Sequence, residues 1–189
     1  MTSNEFAQAK KQAMQKLQTA RDSSQVDDLI LPILDAINAY PAYYTTSSCA
    51  GRIQVLELPK IGDKKNAHIL GKWHHTITQK MLMDTLSSAS KGMIWMLAQS
   101  PILHIAAASF EDANALVKQA ISSGFKNSGM KTKGKQLLIE ICSTERLDAP
   151  IGVDGIVLGS IEFVELVVKI SNDIMMKSKI KIDQLAVII

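Results

Sequence analysis

The sequence predicts a single α+β domain over residues 1–189, with two opening helices, a mixed sheet of about six strands and a long C-terminal helix. Three observations carry this expectation. Apolar residues recur at helical spacing near both ends of the chain, and short β-prone segments cluster between them. No G-x-G-x-x-G occurs anywhere, so the fold is not expected to be Rossmann-like. A chain of 189 residues buries about 70% of its unfolded surface, enough to stand without disulfides or a structural metal.

Residues 3 to 20 carry Phe6, Ala9, Ala13, Met14 and Leu17 on one helical face, with Lys10, Lys11, Lys16 and Arg21 elsewhere. Ser24-Gln25-Val26-Asp27 resembles a capping box and introduces a second helix from Leu29 to Tyr40, with Pro32 in its first turn and Pro41 ending it. Tyr43 to Thr46 and Ile53 to Leu58 read as two strands of a β-hairpin. An exposed loop, residues 59 to 66, leads to a strand from about His68 to Thr76. Thr78 begins a helix to Ser88 with Met81, Leu82 and Leu86 on its buried stripe. Met93 to Leu97 and Ile102 to Ala107 are largely apolar strands separated by Ser100-Pro101. Ala113, Leu116, Val117, Ala120 and Ile121 mark the most regular helix, ended by Gly124. Residues 125 to 135 form a lysine-rich loop; if the segment is a strand, Lys131, Lys133 and Lys135 share one face. Gln136 to Ser143 is a strand, Ala149 to Gly155 a loop rich in breakers, and Ser160 caps the last helix, where Met175 and Met176 read as core filler.

A net charge of +3 permits an anionic partner without requiring one. Cys49 and Cys142 stand far apart without a framework of further cysteines, so they read as reduced thiols of a cytoplasmic protein. No zinc-ligand set is visible and no metal is expected. No apolar h-region opens the chain and no apolar run reaches about 18 residues, so neither export nor membrane spanning is expected.

The stretch from Tyr44 to Ile53 has site chemistry. Ser47, Ser48 and Cys49 bring compact donors and acceptors, Gly51 permits positive φ or close approach of a ligand, and Arg52 adds a cationic fork. The alternative is a plain hairpin with a solvated arginine. Trp73 is either a flat platform for a base or core. His74 and His75 are adjacent, so on a strand only one of them faces any given site. His104 interrupts an apolar run. A histidine there is either a satisfied core residue or a proton acceptor, since an imidazole titrates near about 6.5.

Thr45-Thr46-Ser47-Ser48-Cys49-Ala50-Gly51-Arg52 resembles the N-terminal motif of the tRNA wybutosine-synthesising protein 3 family. Gly71-Lys72-Trp73-His74 is similar to that family's second motif in its archaeal form, Leu103-His104 to its third, and the run from Ser123 to Gly129, Ser-Gly-Phe-Lys-Asn-Ser-Gly, to its fourth. Motif order and spacing run from about residue 25 to about residue 175. Two positions depart from the pattern. Gln99-Ser100-Pro101 stands where many members have an acidic residue and a proline, and Cys142 where an arginine is common.

The resemblance implies an S-adenosylmethionine-dependent tRNA methyltransferase acting on N4 of the 7-(3-amino-3-carboxypropyl)wyosine-type precursor at guanosine 37, in the anticodon loop of phenylalanine tRNA. On that basis Ser48, Cys49, Gly51 and Arg52 are expected to line one wall of a pocket, Trp73 with His74 or His75 another, and His104 with Asn127, Ser128 and Gly129 to close it. Donor binding is expected of Ser48, Gly51, Leu103, Asn127, Ser128 and Gly129, and substrate binding of Arg52, Trp73, His75, Lys126, Lys131 and Lys133. His104 and His74 are candidate proton acceptors, and Cys49 a candidate thiolate. The competing class is a non-catalytic RNA-binding module built on the same lysines and Trp73.

Overall fold

The structure, a computed structural model, describes residues 1–188. In chain order it contains α1 (Ser3–Asp22), α2 (Leu31–Ala39), β1 (Tyr43–Cys49), β2 (Arg52–Leu58), β3 (His68–Trp73), α3 (Gln79–Leu86), β4 (Met93–Gln99) and β5 (Ile102–Ala107). These are followed by α4 (Phe110–Ser122), β6 (Gly129–Lys133), β7 (Gln136–Cys142), β8 (Arg146–Val153), β9 (Ile156–Val157) and α5 (Ile161–Ile188). The α+β class, the opening pair of helices and the long last helix are as expected.

The sheet expectation needs correction. In place of one mixed sheet of about six strands there are two sheets, ordered β1-β5-β7-β6 and β3-β2-β4-β8-β9. All their strand pairs run antiparallel. Alternation in a sequence reveals a strand but not its partner, and two strands were hidden by composition. β6 is lysine-rich, and β8 takes in Pro150 and Gly152, which read as breakers. Pro150 is tolerated because it sits at a register shift opposite the Ile94/Trp95 step, where a residue without an N–H fits. The expected β1–β2 hairpin is absent as well. β1 pairs with β5, whereas β2 pairs with β3 and β4, and Gly51 (φ 93°) turns the chain from one sheet to the other.

Two compact units divide the chain: residues 1–50, 101–144 and from Ser178 onward, and residues 51–100 and 145–177. In the first, α2 and α4 bury Ile33, Leu34, Ile37, Leu116 and Ala120 with Leu103, Ile105, Ile139 and Ile141 of the sheet. α1 lies on the other face, with Phe6 tilted against Tyr44 (ring centroids 5.0 Å apart, planes at 56°) beside Ala106 and Leu138. Thr2 and Glu5 form the capping box of α1. The box expected at Ser24 does not form, because Ser24 is itself left-handed (φ 54°) where α1 ends. In the second unit Ile53, Val55, Ile94, Met96 and Ile151 of the sheet pack with Leu82 and Leu86 of α3 and Val164, Val168 and Met175 of α5. Met176 and Ile121, expected inside, are exposed.

One clasp fixes the strand that matters most below. Thr45 donates its backbone N–H to Asn38 Oδ1 (2.9 Å), and Asn38 Nδ2 donates to Thr45 Oγ1 (2.9 Å), just before β1 shifts register between Thr45 and Ser47. Thr45 is buried, so Asn38→Ala leaves an N–H without a partner. We expect a loss of about 1–3 kcal/mol of unfolding free energy, measured by urea denaturation.

Candidate functional site

Leu103 and Ile105 face the core of the first unit, so the two-residue period of β5 turns His104 to the opposite face. There it is flanked in register by Ser47 of β1 and Glu140 of β7. Ser47 Oγ lies 2.8 Å from His104 Nδ1, and Glu140 Oε2 lies 2.8 Å from Nε2. Lys131 of β6 donates to the same carboxylate oxygen at 2.6 Å. Thr46, the extra residue at the register shift, donates its hydroxyl to the His104 carbonyl at 3.1 Å. Three strands thus present a serine, a histidine and a carboxylate as one polar row. The Lys131 hydrogen bond, and next the one from His104, hold the Glu140 carboxyl below the usual glutamate range.

The remaining predicted residues of this unit fall into two groups. Ser48, Lys126, Asn127 and Lys133 are exposed. Leu103 is fully buried in the core, so its side chain reaches no ligand. The Ser128 hydroxyl donates to the Phe125 carbonyl (2.7 Å) and accepts from Cys142 N–H (3.3 Å), and Asn127 N–H bonds the Cys142 carbonyl. Those bonds shape the 125–129 turn. A methyl donor bearing ribose hydroxyls and an amino-acid end needs groups that both donate and accept, and the exposed Ser48 hydroxyl and Asn127 amide fit that need. Gly129 has open space where a Cβ would stand. Lys131, expected on phosphate, is instead the partner of Glu140, and Lys135 lies in the β6–β7 turn, where it approaches Glu5 at 3.9 Å. Cys49 pairs with Ile102 at the end of β1, on the face that carries His104. A concavity of about 600 Å³ lined by Met1, Phe6, Lys10, Pro41 and Ala108 includes none of the predicted residues.

In the second unit Arg52 pairs with Gln99, and its Nε donates to Gln99 Oε1 at 2.9 Å, fixing the plane of the guanidinium. β3 ends at Trp73, short of the expected Thr76, so His74 and His75 follow the strand rather than alternate along it. His74 Nδ1 lies 2.9 Å from the Gly51 carbonyl; a carbonyl only accepts, so Nδ1 carries the proton. His75 turns to the Thr76 carbonyl and is exposed. Trp73 is half-buried against the second core, its ring laid over Gly71, where a Cβ would come within 2.5 Å of Cη2. Glycine is what lets the indole lie flat on its own strand.

Ser47, read from sequence only as one of several compact donors and acceptors, and Glu140, not singled out at all, carry the row. Glu140 is the one charged residue in Leu137-Leu138-Ile139-Glu140-Ile141, a signal that it answers a polar group on a neighbouring strand. The neighbour was unreadable, because β5 and β7 are joined through α4 and β6. Among the described residues no group of three potential metal ligands occurs, and no helix is long and apolar enough to cross a membrane.

A sequence model of the family described as Methyltransferase TYW3 matches residues 8–189. A Pyrococcus horikoshii protein named tRNA(Phe) 7-((3-amino-3-carboxypropyl)-4-demethylwyosine(37)-N(4))-methyltransferase 1 is 42% identical over 181 residues, 95% of this chain and 92% of that one. A Methanocaldococcus jannaschii protein named as the same methyltransferase is 38% identical over 169 residues, 88% of each chain. A solved structure of a P. horikoshii protein superposes with a TM-score of 0.94 at 41% identity, covering 98% of this chain and 96% of that one. A hypothetical protein from Aeropyrum pernix superposes at 0.75 with 26% identity, over 85% and 95%.

Two measurements check this geometry. A carboxylate with a depressed folded pKa gives stability that is full above its unfolded value, about 4.3, and that is lost as pH falls through the folded value. Wild type therefore loses more stability than Glu140→Gln between about pH 6 and about pH 3, read from urea midpoints. Gly71→Ala displaces the Trp73 ring, costs about 1–3 kcal/mol and alters the indole fluorescence.

Proposed function

The chain belongs to the Methyltransferase TYW3 family, and from that membership we infer a tRNA(Phe) methyltransferase acting on N4 of the 7-(3-amino-3-carboxypropyl)-4-demethylwyosine base at position 37. The match from residue 8 to residue 189 supports treating both units as one functional domain. The donor in this reading is S-adenosylmethionine, whose sulfonium supplies an already electrophilic methyl group. The work left to the protein is to orient the reactants, exclude water and accept one proton.

His104 is the proposed proton acceptor, and the observation that carries the assignment is its placement between Ser47 and Glu140. A carboxylate on Nε2 fixes the tautomer that leaves Nδ1 as the accepting nitrogen. Ser48, Asn127 and the backbone of Gly129 are proposed donor contacts; Leu103 and the Ser128 hydroxyl are engaged in the core and in the 125–129 turn. Lys126 and Lys133 are proposed contacts to phosphates of the anticodon loop. On the second unit Gly51, Arg52, Trp73, His74 and His75 are proposed nucleic-acid contacts. Base stacking on an indole is worth about 1–3 kcal/mol per base. A covalent role for Cys49 is unnecessary, because nitrogen methylation from a sulfonium needs no thiolate intermediate.

His104→Asn is expected to slow single-turnover methylation of precursor-bearing tRNA(Phe) by about 10²-fold while leaving tRNA affinity within about threefold. An unchanged rate and pH profile would remove His104 from the chemistry. Calorimetry that finds no saturable S-adenosylmethionine binding would overturn the donor assignment.

A further inference from the structure

We propose that the Ser47 hydroxyl is the group that meets the reacting nitrogen: it takes the nitrogen's proton while passing its own to His104 Nδ1. This rests on the methyl-transfer reading above and names the residue through which His104 acts. The Glu140 carboxylate only accepts, so His104 Nε2 is an N–H donor to it. In the neutral ring Nδ1 is then a lone pair, and the hydroxyl 2.8 Å away must donate to it. Ser47 thereby spends its one proton inward and turns its oxygen lone pairs outward. Ser47 is exposed, while the His104 side chain is only 26% exposed, so the approach to Nδ1 lies through the serine.

The charges close. The acceptor nitrogen loses its proton to Ser47 Oγ as Ser47 hands its own to Nδ1. The nitrogen's freed pair bonds the methyl carbon, whose bond to the sulfonium sulfur breaks with the pair left on sulfur. One positive charge leaves the sulfonium and one arises on the imidazolium, against the Glu140 carboxylate. Glu140 and Lys131 are positioning residues: Lys131 holds Glu140 ionised, and Glu140 holds the ring with Nδ1 toward Ser47. These are the groups the neighbouring strands turn toward His104, namely Ser47 from β1, Glu140 from β7 and, through Glu140, Lys131 from β6. The Cys49 thiol stands one pair further along β1 on the same face, and α1 covers the opposite end with the apolar Phe6, Ala9, Ala13 and Met14.

The relay is tested in two ways. Single-turnover methylation by wild type, Ser47→Ala and Ser47→Thr is followed across pH, with tRNA affinity measured alongside. Ser47→Ala is expected to fall about 10²-fold in rate with affinity within about threefold, and Ser47→Thr, which keeps the hydroxyl, to recover most of it. Independently of activity, long-range 1H–15N spectra of the chain alone are expected to show His104 as the Nε2–H tautomer above its titration. An Nδ1–H tautomer overturns the relay, as does a Ser47→Ala variant with the wild-type rate and profile. A wild-type chain that transfers no methyl group overturns the methyl-transfer reading itself, which keeps the two failures apart.

Discussion

Burial of Leu103 and Ile105 is the constraint from which the site follows. A strand with one face in the core has a single allowed register, because a slip of one residue would move every apolar side chain into solvent. With β5 fixed, the residue between those two has no choice of face. Glu140 on β7 is fixed by the same logic, since Ile139 and Ile141 are buried around it, whereas Ser47 on β1 is placed by strand pairing beyond the Asn38–Thr45 clasp. The polar row is thus held by apolar packing on the reverse of the sheet. Its hydrogen bonds choose rotamers and tautomers rather than strand positions.

Electrostatics then sets what the row can do. Lys131 and the His104 ring share one oxygen of Glu140, so that carboxylate answers both at once. Four residue types on four adjacent strands therefore form a chain of alternating donors and acceptors, and none of them is buried beyond reach of solvent. Such an arrangement suits a reaction whose electrophile arrives already activated, because the protein needs a modest base rather than a strong one.

Much of this was legible in the sequence, and the rest was not for identifiable reasons. The helices were readable because their apolar period is local, and β5 was placed correctly because its apolar run is bounded by Pro101 and Ser109. β6 and β8 were missed because lysine, proline and glycine argue for loops until a partner strand is known. The supposed hairpin at Gly51 failed for the same reason: two adjacent strands with a glycine between them look alike whether they pair or part. His104 was found as a polar residue in an apolar strand, whereas Ser47 and Glu140 required the pairing of strands far apart in sequence. Lys131 was assigned to substrate phosphate because its carboxylate partner lies on the next strand, not along its own.

Pro150 carries one more implication. β9 pairs only with Gly152 and Val153, so no described strand covers the outer side of β8 from Arg146 to Pro150. A bare sheet margin of that kind invites a second molecule to add its own strand and start an aggregate. Here the margin offers a proline, which has no amide hydrogen to lend, and the ion-paired Arg146 and Asp148, which are costly to strip of water. The residues that disguised this segment as a loop are thus ones that disfavour the addition of a foreign strand along it.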